Sequence, residues 1–277
     1  MIQHKQLENG FEYIEISNEA SQAKIALQGA HIFEYKRKGE EDILWLSETS
    51  DFEKGKAIRG GVPLCWPSFG MNNPDLPQHG FARLGMWKVA RSQETDSKTT
   101  QLVLELNETP ESLKLWPYRF HLELRIRVSD TLCMELTTTN TDEREFKITQ
   151  ALHSYFLVSD ISDAAVKGLD AKPYFDALSA QTCVQKGDVV FMEEVDRVYQ
   201  DVKEALFLSD KNRVIKIQNE GSSSVVVWNP WIEKCSRMSG MKEDAYLGMV
   251  CIESANAYGD FKILKPRASH TLKALIS

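Results

Sequence analysis

Strict alternation of apolar and polar residues recurs along this chain of 277 residues and constrains its fold more than any other feature. Successive side chains of a β-strand point to opposite faces, so an alternating run predicts a strand with one face in a core. Dipeptides typical of turns, such as Asn9-Gly10 and Glu220-Gly221, separate these runs, and few segments repeat with the period of a helix. The sequence therefore predicts a largely antiparallel, all-β fold. The clearest runs are residues 11–17, 101–107, 121–129, 132–138, 213–219 and 271–276.

The same pattern leaves room for few helices and favours one domain. A short helix is predicted after Thr109, because this residue can cap it, Pro110 suits the first helical position and Glu111 is acidic. Trp116-Pro117 should end this helix. Since neither a repeat nor a linker-like change of composition divides the chain, we expect a single domain over residues 1–277. Its predicted architecture is two packed sheets, a large antiparallel β-sandwich with a few short helices.

Charge and hydropathy exclude several classes of partner. The net charge is -7 and the sequence pI is about 5.5, and there is no basic run, so we expect no binding to nucleic acid. No apolar stretch is long enough to span a bilayer, and the amino-terminal residues lack the pattern of a signal peptide. We therefore expect no membrane association, a cytoplasmic location and a monomer.

Five widely spaced cysteines carry no signature of metal or disulfide chemistry. They are Cys65, Cys133, Cys183, Cys235 and Cys251, and no pair has the CxxC spacing. Free cysteine is among the residues most often buried, so we interpret all five as reduced core residues. The scattered histidines add no ligand spacing, and we expect no metal site.

One segment, residues 58–87, breaks the alternation and is rich in glycine and proline. Glycine permits backbone conformations closed to other residues, and proline stiffens the chain, which suits the rim of a pocket. Arg59, Gln78, His79 and Arg83 lie in this segment and are candidates to bind a ligand. The alternative is a structural loop whose arginines bridge backbone carbonyls.

A histidine and a glutamate interrupt two other apolar runs. His153 lies within ALHSYFLV and Glu253 ends the apolar part of YLGMVCIESAN. A lone histidine in such a run is more often a satisfied core residue, but a carboxylate there is costly unless it is paired or lines a cavity. Together they suggest a general acid and a general base that face one pocket. Asp196, Arg197 and Tyr199 form a further polar cluster, which by itself is typical of a turn with a surface ion pair.

Six motifs together resemble the aldose 1-epimerase (galactose mutarotase) superfamily. In chain order they are RGGVPLCWPSFG, PQHGFAR, ALHSYFLVSDI, DRVY, VVVWNPW and CIESANA. More narrowly, the chain is similar to the glucose-6-phosphate 1-epimerase branch, also called hexose-6-phosphate mutarotases. The resemblance extends from about Phe11 to the end of the chain. It implies the galactose mutarotase-like supersandwich as the fold. It also implies an isomerase that interconverts the α and β anomers of a hexose 6-phosphate, with glucose 6-phosphate as the expected substrate.

The resemblance also implies roles for individual residues. His153 matches the family's catalytic histidine and Glu253 its catalytic glutamate. Substrate-contact positions match Arg59, Gln78, Arg83 and Asp196, and His79 resembles a second active-site histidine. Ring opening needs a base at the C1 hydroxyl and an acid at the ring oxygen, and it needs no cofactor and no metal. Glu253 is the expected base and His153 the expected acid.

Two other functions stay open from the sequence. Arg59 and Arg83 could clamp a 6-phosphate, because a guanidinium forks onto phosphate oxygens, but a mutarotase of unphosphorylated aldoses would not need them. A non-catalytic carbohydrate-binding β-sandwich could use the aromatic residues Trp66, Trp228 and Trp231 as a platform. That class would have no need for the histidine and glutamate together.

Overall fold

The structure is a computed structural model and describes residues 1–71 and 73–277. In the first half of the chain the strands are β1 (Ile2–Gln6), β2 (Glu12–Ser17), β3 (Ser21–Ala26), β4 (Ile32–Arg37), β5 (Leu64–Cys65), β6 (Lys88–Asp96), β7 (Thr99–Asn107), β8 (Phe120–Val128), β9 (Leu132–Asn140) and β10 (Phe146–Ile148). In the second half they are β11 (Gln150–Leu152), β12 (Tyr155–Leu157), β13 (Ala165–Lys167), β14 (Pro173–Asp176), β15 (Gln181–Val184), β16 (Val189–Val190), β17 (Val195–Tyr199), β18 (Leu206–Ser209), β19 (Val214–Glu220), β20 (Ser224–Asn229), β21 (Met249–Asn256), β22 (Lys262–Leu264) and β23 (Ser269–Ile276).

Helices are short and lie between strands. The α-helices of the described residues are α1 (Pro110–Leu115) and α2 (Trp231–Cys235), and single 3-10 turns span Ile161–Asp163, Ala245–Gly248 and Tyr258–Asp260. The predicted start of α1 is confirmed. Thr109 caps it by accepting a hydrogen bond from the backbone N–H of Ser112, whose hydroxyl accepts one from the Thr109 N–H in return. Trp116 ends the helix as predicted.

Two large sheets organise the fold. A nine-stranded sheet has the order β16-β13-β18-β19-β23-β9-β8-β7-β6. An eight-stranded sheet has the order β15-β14-β17-β20-β21-β11-β5, with β12 also paired to β21. Strands β1 to β4 form a third sheet, and β10 pairs with β22. Within the described residues every pairing of named strands is antiparallel, which confirms the all-β prediction.

One apolar core joins the two large sheets. Leu122, Leu124 and Ile126 alternate along β8 with half-buried or exposed residues and belong to the same buried cluster as Val225 and Ile252 of the eight-stranded sheet. The alternation read from the sequence thus becomes one buried face of each sheet. Its energetic basis is the removal of these side chains from water.

The other face of the eight-stranded sheet carries the candidate catalytic groups. On β20 and β21, Val226 lies opposite Glu253, and both are out of phase with the core residues Val225 and Ile252. Asp196 of β17 lies opposite Trp228 in the same sheet. Because side chains alternate between faces, Glu253, Val226 and Trp228 share the face that turns away from the main core.

The expected burial of the cysteines is confirmed for four of the five. All five cysteines are free, and four of them are buried. The prediction is wrong for Cys183, which is half-buried because β15 is an edge strand of the eight-stranded sheet.

Among the described residues, no helix has the length and apolar character needed to cross a membrane.

The segment of residues 58–87 is held against the fold by close backbone contacts. A Cβ atom at Gly61 would lie 2.3 Å from the carbonyl oxygen of Ile32, and both Gly60 and Gly61 have a positive φ. Only glycine fits such a position without displacing the backbone. His31 adds a hydrogen bond from its Nε2 to the Gly60 carbonyl, at 2.8 Å. Arg59 directly precedes this glycine pair, and its backbone is fixed on both sides: its N–H donates to the Ser50 hydroxyl and its carbonyl accepts from the Ser47 N–H.

We predict that His31 makes the protein sensitive to acid. Burial lowers its pKa to about 4 from an ordinary value of 6.5. The unfolded chain therefore gains a proton at a pH where folded His31 has none, so this contribution to stability is complete above pH 6.5 and is lost as the pH falls towards 4. The loss should reach about 3 kcal/mol in the free energy of unfolding.

Urea unfolding at a series of pH values measures this slope. His31→Gln keeps an N–H donor for the Gly60 carbonyl but cannot be protonated, so its free energy of unfolding should fall less steeply in acid. At neutral pH this variant should be less stable than the wild type. An unchanged slope in the variant would show that other groups cause the acid sensitivity.

Candidate active site

One cavity brings together six of the seven residues singled out from the sequence. Arg59, Gln78, His79, His153, Asp196 and Glu253 line it, together with Phe69, Val226, Trp228, Lys234 and Met238. The seventh residue, Arg83, does not line the cavity but lies next to it, where its Nη2 donates a hydrogen bond of 2.7 Å to the Gln78 carbonyl. The site is thus assembled from the glycine- and proline-rich segment and from the strands of the eight-stranded sheet.

Glu253 is buried at the base of this cavity, with 1% of its surface exposed. Its Oε1 lies 3.3 Å from Nε2 of His153, and its Oε2 has no hydrogen-bond partner within the described residues. Burial, and secondarily the charge of Asp196, raises the pKa of this carboxyl well above 4.5. Burial therefore favours the protonated form of Glu253 more than it would for an exposed glutamate.

His153 lies between β11 and β12 and is 8% exposed. Its ring stacks on Tyr155 at 4.9 Å between centroids, and its backbone N–H donates to the Pro63 carbonyl. Burial lowers the pKa of His153 well below 6.5, and the positive charges of Arg83 and Arg59 act in the same direction. Its Nδ1 is a buried atom that forms no hydrogen bond with the described residues.

These opposite shifts leave a buried pair that holds one proton. The pKa of Glu253 is raised and that of His153 is lowered, so burial favours a neutral carboxylic acid beside a neutral imidazole. Moving that proton across the 3.3 Å contact gives a carboxylate and an imidazolium. The two forms differ only in the position of one proton, so the pair can supply both a base and an acid.

His79 contributes a neutral hydrogen-bond donor. The backbone N–H of Gly70 donates to its Nδ1 at 3.2 Å, and Cys65 Sγ lies 3.2 Å from the same nitrogen. An amide N–H only donates, so Nδ1 carries the lone pair and Nε2 carries the hydrogen in the neutral ring. Burial and the charges of Arg83 and Arg59 lower the pKa of His79 to about 3. Its edge packs against the ring of His153, with centroids 5.4 Å apart.

Arg59 and Arg83 place two positive charges beside the histidines. Both charges act on His79 and on His153, and the charge of Arg59 also acts on Arg83. The Arg59 guanidinium also lies against the Tyr155 hydroxyl, and the Nε of Arg83 is buried with no partner in the described residues. Burial lowers the pKa of Arg83, which is the expected direction for a cation removed from water.

Asp196 and Lys234 occupy another wall of the cavity. Lys234 Nζ lies 3.5 Å from Asp196 Oδ2 and 2.7 Å from Glu194 Oε1. The cluster around Asp196 is therefore more than the surface turn that its sequence alone suggests. Lys234 was not singled out from the sequence, because one lysine in a short mixed segment has no distinguishing pattern.

The aromatic residues are distributed differently from a binding platform. Trp228 lines the cavity, but Trp66 is fully buried in the core and its Nε1 donates to the Thr138 hydroxyl. Trp231 does not line the cavity and packs against Tyr246. The three tryptophans therefore do not form one platform, and the carbohydrate-binding alternative loses the feature on which it depended.

One further group of side chains in the described residues has a spacing that could hold a metal ion. Ligand atoms of Glu105, His121 and Glu123 lie within 4.8 Å of one another on β7 and β8. Glu123 already pairs with Arg125, and His121 Nδ1 lies 3.0 Å from the Asn107 side chain. Glu123 and His121 therefore already have polar partners on the same sheet.

Comparison with known proteins agrees with the fold and shows the family. The family model described as aldose 1-epimerase matches residues 12–277. An Escherichia coli (strain K12) protein, provisionally named glucose-6-phosphate 1-epimerase, is 35% identical over 269 residues, which cover 95% of this chain and 90% of that protein. A crystal structure of a provisionally identified mutarotase (YeaD) from Salmonella typhimurium has a TM-score of 0.93 at 34% identity, covering 99% of this chain and 92% of that one.

A more distant structure shows how widely the fold is shared. The crystal structure of galactose 1-epimerase from Lactobacillus acidophilus NCFM has a TM-score of 0.74 at 13% identity and covers 100% of this chain and 98% of that one. At this identity the likeness concerns the fold alone. It agrees with the predicted galactose mutarotase-like β-sandwich.

We predict that replacing either member of the buried pair removes most catalysis and leaves the fold intact. Glu253→Gln keeps the shape of the side chain, and His153→Asn keeps a polar group of smaller size. Loss of a positioned acid or base should lower kcat by about 100- to 10,000-fold. NMR exchange between sugar anomers measures the rate, and circular dichroism checks the fold. A folded variant with nearly wild-type exchange would contradict the role of that residue.

We predict a broad pH optimum bounded by two ionisations of the pair. In acid, the pair takes a second proton at His153 and no base remains. The lowered pKa of His153 moves this limb below pH 6.5. In alkali, the pair loses its only proton, and the raised pKa of Glu253 moves this limb well above 4.5. A profile of kcat/KM against pH tests this. A rate that rises steadily with pH over the range in which the protein is folded would contradict a one-proton pair.

Proposed function

The chain belongs to the aldose 1-epimerase family, and we propose that it interconverts the α and β anomers of a hexose 6-phosphate, with glucose 6-phosphate as the expected substrate. Members of this family are enzymes of the isomerase class, and a sugar is the corresponding substrate. The observation that carries the proposed chemistry is the buried contact of 3.3 Å between His153 and Glu253 inside one cavity.

The proposed reaction opens and recloses the sugar ring. Glu253 takes the proton from the C1 hydroxyl while His153 gives a proton to the ring oxygen, so the C1–O5 bond breaks as the C1 carbonyl forms. Rotation about the C1–C2 bond presents the other face of the carbonyl. Reclosure returns both protons and gives the other anomer. The reaction starts from the carboxylate and imidazolium form, which the resting pair reaches by transferring its proton from Glu253 to His153.

Two arginines without acidic partners support a phosphorylated substrate. Neither Arg59 nor Arg83 forms an ion pair with any described residue, although each lies close enough to repel the other. Two neighbouring guanidinium groups without a carboxylate are costly in a folded protein unless an anion neutralises them. A phosphate dianion suits such a pair because each guanidinium can donate two parallel hydrogen bonds to it.

The distribution of charge along the cavity supports one orientation of this substrate. The arginine charges act on His153, whereas the Asp196 charge acts on Glu253. In a hexopyranose 6-phosphate, C5 carries both the ring oxygen and the C6 phosphate arm, and the C2 hydroxyl is next to C1. A sugar with its phosphate at the arginines therefore presents the ring oxygen to His153 and the C1 hydroxyl to Glu253. In this orientation Asp196 and Gln78 accept or donate hydrogen bonds to the remaining hydroxyls.

His79 has a distinct part in the proposal. Its Nε2–H is a fixed donor beside His153, and its low pKa keeps the ring neutral. A neutral donor in a buried site stabilises negative charge that develops on the ring oxygen as the C1–O5 bond breaks. His79 therefore complements the acid His153 without competing for its proton.

The neutral-aldose alternative keeps one observation in its favour. Arg83 donates to the Gln78 carbonyl and does not line the cavity, as a bracing arginine would. The two functions differ in what the arginines do for substrates with and without phosphate. The following prediction separates them.

We predict that Arg59→Ala and Arg83→Ala lower kcat/KM for glucose 6-phosphate by about 10- to 150-fold. This range corresponds to the loss of one charge-assisted hydrogen bond of about 1.5 to 3 kcal/mol. Turnover of glucose should change little, because glucose has no phosphate to bind. Exchange NMR with both sugars measures the two rates.

Arg213→Ala is the matched control for this experiment. Arg213 also donates to a backbone carbonyl, that of Leu157, at 2.7 Å, but it lies outside the cavity. It should leave the ratio of the two rates unchanged. Equal losses for both sugars in the Arg59 and Arg83 variants would instead favour bracing arginines and a mutarotase of unphosphorylated aldoses.

A further inference from the structure

Lys234 has a fixed position at the rim of the cavity. It lies on α2, which begins at Trp231, one residue beyond Pro230; β20 ends at Asn229. The Asn229 side chain donates to the Met249 and Tyr246 carbonyls and accepts from the Trp231 N–H. These hydrogen bonds attach the start of α2 to the sheet that carries Glu253.

The Lys234 amine lies between an outer and an inner carboxylate. Its outer contact is the Glu194 side chain at 2.7 Å, and its inner contact is Asp196 at 3.5 Å. The Trp228 ring lies below it, with the centroid 5.9 Å from Nζ. The neighbouring cation Arg197 lies 4.0 Å from Asp176 and does not approach Asp196 as closely as this lysine does. Lys234 is therefore the cation that compensates Asp196 in the described structure.

Asp196 has little else to stabilise its charge. Its own burial raises its pKa, as do the charges of Glu194 and Asp176, while Lys234 lowers it. The ionisable groups of the described residues whose charge acts on Asp196, or on which its charge acts, are Glu194, Asp176, Lys234, Glu253, Cys251 and Tyr258. Within this set, Lys234 alone favours the carboxylate. All the others are acids, whose ionisation would oppose it.

We propose that Lys234 is a positioning residue that keeps Asp196 ionised and directed into the cavity, where the carboxylate accepts hydrogen bonds from sugar hydroxyls. This inference rests on the proposed function for the identity of the ligand. An ionised carboxylate is an acceptor at both oxygens, whereas a protonated one is a donor at one of them. Removal of the lysine therefore changes the hydrogen bonds that Asp196 offers to a substrate without removing Asp196.

Lys234 also reaches the catalytic pair through Asp196. The Asp196 charge helps to hold the proton on Glu253. Where Asp196 is neutral in a variant without the lysine, Glu253 therefore releases its proton more easily, which is a shift of its pKa to lower values. A lysine that only held α2 in place would produce no such shift.

The test is the pH dependence of KM in Lys234→Met. We expect KM to rise by about 10- to 100-fold at pH values at which Asp196 is protonated in the variant, because a hydrogen bond to a charged acceptor is lost. KM should recover as the pH is raised until Asp196 ionises without its lysine. The wild type and Lys234→Arg should show a flat KM over the same range. Lys172→Met removes a lysine paired with Glu204 at 2.8 Å outside the cavity and should behave as the wild type.

A second measurement does not depend on activity. The ¹³C resonance of the Asp196 side-chain carboxyl should titrate at higher pH in Lys234→Met than in the wild type. Lys234→Gln serves the same purpose if the methionine variant does not fold. An unchanged Asp196 titration, or a KM that is raised equally at every pH, would overturn the role of Lys234.

The same experiment separates this inference from the proposed function. Kinetics use whichever of glucose 6-phosphate and glucose the wild-type enzyme turns over faster. A wild type that prefers glucose would contradict the phosphate specificity, while the Asp196 titration would still decide the role of Lys234. A wild type that prefers glucose 6-phosphate, with an unaltered titration in the variant, would contradict only the lysine.

Discussion

Burial of a carboxyl group beside an imidazole is the constraint on which this structure depends. Removing either charge from water is costly, so the pKa of Glu253 is raised, that of His153 is lowered, and the pair retains one proton. Every layer around the pair serves this burial. Strand β21 is covered on both faces, and the Pro63 carbonyl holds the backbone of His153 where its ring meets the carboxyl. An acid and a base that share one proton are also what opening and reclosing a sugar ring require.

Around this neutral pair the fold divides positive from negative charge. Arg59 and Arg83 act on the histidine side, and Asp196 acts on the glutamate side, although the chain as a whole carries a net charge of -7. A local cluster of cations in an acidic protein attracts an anionic ligand to one place and leaves the rest of the surface repulsive to polyanions. For the proposed phosphosugar substrate, polarity of this kind would favour one direction in the cavity. Lys234 adds a positive charge on the glutamate side of the cavity, where it stabilises the carboxylate of Asp196.

The glycine-rich segment shows why such charges can be held together. Repulsion between two guanidinium groups would drive a flexible loop apart, but this segment is pressed against the fold at positions where a side chain does not fit. Gly61 approaches Ile32, and Gly80 approaches Trp66, with no space for a Cβ atom. The contacts fix the backbone before any ligand binds, so the cost of ordering the arginines is met in folding and not in binding.

Local sequence determined the strands and the cap of α1, and it pointed to His153 and Glu253 as the proposed catalytic pair. Alternation depends on neighbouring residues, and His153 and Glu253 were visible because each interrupts an apolar run. Tertiary structure alone decided which polar residues meet. Trp66 resembled a surface aromatic residue in sequence but is in the core, Arg83 contacts a carbonyl beside the cavity, and Cys183 lies on an edge strand. Lys234, Asp196 and Glu253 come from three separate elements, α2, β17 and β21. Their proximity follows from the order of strands in one sheet, which long-range pairing sets and which no local pattern encodes.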